Sequence, residues 1–171
     1  MQRLYWDAIN INDQKVFYTV TDAGLNFVSS PDCGVSQVLR FYAAPFEYSH
    51  DHQQTDGYRK ALKRYLKGKS ESFGFPLDYL VDGTPQQEEV WQLISAIPYG
   101  KTLKLADLAA QLRVDPATVR AAMQACPLWL VVPLHRVVEL GDDCGYRTNA
   151  AMRTYLRNLE QSPKSELREL L

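Results

Sequence analysis

The stretch LVVPLHRVVEL, Leu130 to Leu140, decides how this chain is read. His135 and Arg136 stand side by side in an apolar run interrupted by Pro133. A polar group moved into an apolar setting without a partner costs roughly 2–7 kcal/mol. The pair therefore needs partners from elsewhere in the chain, and the surrounding segments must bring them in.

Upstream, LKLADLAAQL and PATVRAAMQAC are two short helical segments joined by RVD. Their spacing is that of a helix-turn-helix, and equally of any αα-hairpin. Before them, TPQQEEVWQLISAI opens with Thr84 as N-cap, Pro85 at the first helical position and Glu88 in the first turn. Val90, Trp91, Ile94 and Ile97 form its apolar stripe, and PYGK ends it. Downstream of the opening stretch come a loop, GDDCGYR, and a last helix, AAMRTYLRNLEQ.

The pattern differs before residue 80. LYWDAININ, KVFYTVTD and AGLNFVSS are rich in aromatic and β-branched residues, and Asn-Asp and Asp-Ala-Gly turn signals separate them. That predicts hairpins in an antiparallel sheet. Tyr58, Leu62, Tyr65 and Leu66 fall at helical spacing between Thr55 and Gly68. Lys60, Lys63, Arg64 and Lys67 on that helix read as a solvated face. FGFPLDYLVDGTP reads as an extended linker strand. The expected fold is α+β, with an N-terminal sheet-and-helix domain over 1–80 and a mostly helical domain over 81–171.

Composition narrows the functional classes. The chain has 171 residues, 46% of them hydrophobic, which suffices for one large or two small domains with proper cores. A net charge of −1 excludes a global field drawing the molecule to nucleic acid or membrane, so any anion site is local. Cys33, Cys126 and Cys144 show no CxxC spacing and signal neither a disulfide framework nor a zinc site. No segment reads as a signal core or membrane span, and the expectation is a soluble, reduced, cytoplasmic protein with no cofactor and no metal.

GTPQQEEVWQLISAIPYGKTLKLADLAAQL, VRAAMQA, VVPLHRVV, GYR and the closing helix to Glu160 together resemble the alkylguanine-DNA alkyltransferase family. The resemblance runs in order from Gly83 to about Glu160, and more loosely through the hairpins and YLKGKSESFGFPLD. It implies an α+β N-terminal domain and a helical C-terminal domain with a helix-turn-helix. The family binds duplex DNA in the minor groove, flips an alkylated guanine out of the stack and moves the alkyl group to a cysteine. Its motif is Pro-Cys-His-Arg-Val, in which a glutamate orients the histidine that relays the thiol proton.

Carried over residue by residue, the resemblance implies His135 as the relay, Glu160 as its orienter and Arg136 as the motif arginine. It makes Arg120 the finger that replaces the flipped base, so Arg120 and Arg136 are the expected DNA contacts. Tyr146 belongs to the pocket loop, and Leu105 stands where a tyrosine helps rotate the base. Gln86 stands in place of a phenylalanine. Leu134 occupies the acceptor position. A leucine has no lone pair with which to attack an alkyl carbon, so transfer at that position is lost.

The expectation is therefore a catalytically inactive, monomeric alkyltransferase-like protein of DNA repair. Its partner would be double-stranded DNA carrying an alkylated guanine, followed by a downstream repair protein. Two alternatives stand beside it: an active methyltransferase accepting at another cysteine, with Cys144 in the pocket loop the candidate, and a family fold diverted to a DNA-independent role. His135 is equally read as a core histidine that Glu160 holds for packing.

Overall fold

Asn12 and Asp13 both adopt left-handed backbone angles, φ 50° and 61°, as a two-residue hairpin turn requires. They join β1 (Gln2–Ile11) to β2 (Gln14–Val20) in antiparallel register, with Ile9 opposite Val16. A second turn, closed by Thr21 N–H donating to the Gly24 carbonyl, leads into β3 (Leu25–Val28). The computed structural model describes residues 2–43, 45–79, 83–141 and 146–162. These fall into two compact units that part between residues 79 and 83.

In the first unit the sheet order is β3-β2-β1-β4. The fourth strand, β4 (Phe46–Ser49), runs parallel to β1, so the sheet is mixed where an antiparallel one was expected. The reason lies in the connection. After β3 the chain crosses through a 3-10 segment, Val35–Arg40, and arrives at the far side of β1 without a hairpin turn. Val38 from that crossover packs with Leu4, Phe27 and Tyr42, burying one face of the sheet. Helix α1 (His52–Leu66) buries Thr55, Leu62 and Tyr65, and Gly68 at φ 73° ends it. Asp51 caps its start by accepting from the Gln53 amide. Among the described residues, the expected linker strand contributes one bridge, Leu25 with Leu77, next to Pro76, which has no N–H to give a ladder; its residues 80–82 lie outside the described residues.

The second unit is built on helices, as expected. Thr84 and Gln87 form a full capping box at the start of α2 (Pro85–Ser95), with Pro85 in its first turn. Val90, Trp91 and Ile94 are buried on one face, and Ile97 follows just beyond. Two short helices, α3 (Leu105–Leu112) and α4 (Pro116–Gln124), are separated by a tight turn in which Arg113 takes φ 56°. The Trp91 indole donates to the Ala122 carbonyl at 2.8 Å and ties α2 to α4. Two short strands, β5 (Leu103–Lys104) and β6 (Val137–Val138), pair in parallel. The last helix is α5 (Ala150–Gln161). Among the described residues, no helix is long and apolar enough to cross a membrane.

Candidate functional site

Pro133 enters a single 3-10 turn, Leu134–Arg136, before the chain straightens into β6. A turn this tight fans three successive side chains apart, so Leu134, His135 and Arg136 each meet different neighbours. All three are buried, at 0%, 2% and 8% exposure.

One carboxylate partners both polar side chains of the turn. Glu160, one residue before the end of α5, lies 2.8 Å through Oε2 from His135 Nε2. Arg136 clamps the same group with both arms, Nε to Oε1 at 2.8 Å and Nη2 to Oε2 at 3.0 Å. The remaining arm donates to the Ile97 carbonyl at 2.7 Å, and the Gly100 amide reaches Oε1 at 3.3 Å. Four hydrogen bonds thus converge on Glu160, and two of them form the bidentate fork that makes arginine the strong partner of a carboxylate.

Gly100 is needed for this approach. It takes φ 76°, and a Cβ there would come within 3.1 Å of the Glu160 carbonyl oxygen. Arg157, one turn before Glu160, donates to the His135 carbonyl at 3.2 Å and fixes the main chain of the turn.

A carboxylate only accepts, so the imidazole hydrogen sits on Nε2 and Nδ1 is left as the basic lone-pair nitrogen. Burial holds His135 below its usual pKa of 6.5, while Glu160 pulls in the opposite direction. Near neutral pH it is an uncharged, oriented imidazole. The arrangement can hold a proton acceptor in a fixed direction. Leu134, next to that imidazole in the turn, offers only C–H bonds and is not a nucleophile.

The other expected site residues lie as follows. The Arg136 guanidinium is turned inward by the pairing with Glu160 and Ile97. Arg120 on α4 is half-buried and donates to the Leu140 carbonyl at 3.3 Å. Leu105, at the first position of α3, is buried at 2% exposure and belongs to the core. Tyr146 is buried too, with the Arg153 guanidinium 5.9 Å from its ring centre. Cys144 lies outside the described residues. Cys126 is fully buried, and its thiol is pushed up to about 12.

Sequence reasoning missed several members. Ile97 and Gly100 contribute only main-chain atoms, which leave no side-chain signature. Arg157 precedes Glu160 by three residues on one helix face, and that spacing was a usable signal. Arg147 is buried and donates to the Cys126 carbonyl at 2.8 Å, bracing the segment that leads into the apolar run. Arg153 and Arg157 line a polar cleft beside Val137–Leu140, the segment that Arg120 also reaches.

Residues 85–162 match the family described as 6-O-methylguanine DNA methyltransferase, DNA binding domain. Over 96% of its length the chain is 33% identical to the inducible methylated-DNA–protein-cysteine methyltransferase of Bacillus subtilis, covering 94% of that protein. It is 32% identical over 104 residues to a DNA base-flipping protein of Thermus thermophilus, which spans 60% of this chain and 70% of that one. In fold, it is similar to the crystal structure of the Mycobacterium tuberculosis O6-methylguanine methyltransferase, with a TM-score of 0.72 at 22% identity. That likeness covers 94% of this chain and 95% of the other.

Proposed function

The chain belongs to the O6-methylguanine-DNA methyltransferase family, and from that premise we propose that it binds alkylated guanine in duplex DNA without repairing it. The observation that carries the reading is the residue at the acceptor position. Leu134 is completely buried beside the histidine–glutamate–arginine cluster. In this reading His135 holds the place of the relay, and Leu134 stands where a thiol would be needed.

In this reading α3 and α4 act as a helix-turn-helix against the minor groove, and the flipped base enters beside His135. Arg120 leaves the Leu140 carbonyl to fill the gap in the stack. The cleft along Val137–Leu140 is lined by Arg153 and Arg157 together with Glu139, so any phosphate contact in this reading is local and does not depend on the net charge of −1. Local phosphate contacts suffice for positioning on a duplex. The T. thermophilus relative, named a base-flipping protein and not a transferase, supports the separation of binding from transfer. A bound lesion that is not repaired needs a second protein to act on it, so a downstream repair factor is part of the proposal.

The test has two measurements on the full chain. Incubation with a duplex carrying O6-methylguanine leaves the protein mass unchanged, and affinity for that duplex exceeds affinity for the unmodified one at the same stated salt. A mass gain on Cys144 establishes the active-enzyme alternative. Equal, weak affinity for both duplexes establishes a DNA-independent role.

A further inference from the structure

A second cluster of polar groups lies in the first unit, where the proposed DNA function makes no use of it. Asp7 on β1, His50 in the segment after β4 and His52 at the start of α1 converge there. His50 Nε2 is 3.7 Å from Asp7 Oδ1, and His52 Nδ1 is 3.9 Å from Asp7 Oδ2. One ligand atom from each lies within 4.8 Å of the other two. We propose that Asp7, His50 and His52 form a binding site for one divalent transition-metal ion of the zinc class.

The geometry is close to what such an ion needs. Bonds of about 2.0–2.1 Å in a tetrahedral shell place neighbouring ligand atoms about 3.4 Å apart. The residues must therefore draw together by less than about an ångström each. The residues best able to move are the histidines, whose side chains are 41% and 73% exposed. Asp7 is the fixed point. Its side chain is 8% exposed, and Oδ1 accepts from the Ala8 amide at 2.8 Å. His50 is also oriented, stacked on Trp6 with ring centres 4.1 Å apart.

Two imidazoles and one carboxylate are a donor set for zinc and its neighbours, not for calcium or magnesium, which prefer all-oxygen shells. Solvent supplies the fourth ligand. Arg59 is the one group opposing a cation here, at 3.5 Å from Asp7 Oδ2. Its Nη1 also donates to the Ala8 carbonyl, so the metal has to compete with it only for Asp7 Oδ2. Asp51 is not a ligand, since its carboxylate caps α1. A metal at this point would fasten β1 to the first turn of α1. Cysteine spacing gave no hint of it, because none of the three ligands is a cysteine and one lies far from the other two in sequence.

The experiment uses the full chain stripped of metal. Zinc is titrated against a chromophoric chelator, and cobalt binding is followed by its visible spectrum. One equivalent is expected, with a cobalt spectrum that lacks thiolate charge transfer. His52→Ala, His50→Ala and Asp7→Asn are each expected to weaken binding by at least the roughly 10- to 100-fold that loss of even an outer partner costs. His52 is so exposed that His52→Ala keeps the fold, which circular dichroism verifies. Zinc should raise the melting temperature of the wild type and leave that of His52→Ala unmoved. No bound equivalent at micromolar metal, binding unaffected by His52→Ala, or a thiolate band would each overturn the proposal. None of these readouts involves DNA, so the result stands apart from the proposed function.

Discussion

Two carboxylates in this chain, Glu160 and Asp7, are each met by histidine and arginine, yet they sit in opposite circumstances. Glu160 and His135 are 2% and 1% exposed at their side chains, and every partner is within 3.3 Å. Around Asp7 the histidines and Arg59 reach water, and their contacts with its carboxylate are 3.5 Å or longer. In the closed cluster no member can be removed without leaving another uncompensated. In the open one, solvent takes the place of a missing partner. The closed cluster is a fixed device and the open one an adaptable one.

The largest test of that contrast is the loss of each carboxylate. Glu160→Ala leaves the buried Arg136 guanidinium without its counter-charge, an event that costs about 3–5 kcal/mol. Asp7→Asn in metal-free buffer should cost less, because the partners it leaves, His50, His52 and Arg59, are themselves open to water. Denaturant unfolding of both variants measures the two. Equal losses would abolish the distinction.

Acid sharpens it next. His135 is neutral when folded because burial holds its pKa below 6.5. The unfolded chain therefore takes up the proton first. The associated stability is complete above about pH 6.5 and is lost as pH falls toward the depressed folded value. The slope is at most about 1.4 kcal/mol per pH unit. His135→Gln should remove that slope, seen as the difference between the two stability profiles over this window.

Arg120→Ala is expected to weaken binding to the alkylated duplex by about 1–3 kcal/mol while changing stability little. A fluorescence binding curve beside a melting curve separates the two effects. Unchanged affinity would leave Arg120 as a strut for the Leu140 carbonyl. The smallest signal comes from Leu134→Cys. A thiol placed there is as enclosed as Cys126, whose pKa is driven to about 12, so alkyl transfer should be detectable by mass but slow.

The sequence was most informative where structure is local. Thr84, Pro85 and Gln87 set the start of α2 through contacts within four residues, and Asn12-Asp13 sets the first hairpin. The parallel placement of β4 was not legible, because its partner β1 lies more than thirty residues away and no turn residue marks it. At the site, His135 and Glu160 came from the resemblance and do meet. The inward turn of Arg136 did not, since a motif arginine reads alike whether it faces phosphate or a carboxylate. The Ile97 and Gly100 contributions were invisible because a backbone carbonyl and amide belong to every residue.

The bond from the Gly100 amide to Glu160 closes a loop of sixty residues, and it has a bearing on synthesis. During translation Arg136 and His135 leave the ribosome well before the residue that neutralises and orients them. Contacts of such long sequence separation form late, after the cost of loop closure has been met. The cluster is therefore completed only when α5 has emerged and docked. A chain arrested before residue 160 lacks the carboxylate that pairs with His135 and Arg136, and a C-terminal degradation event that removes α5 dismantles the same cluster in a finished molecule. The last helix acts as a proof of completion: a copy that has lost it also lacks the partner that holds His135 and Arg136.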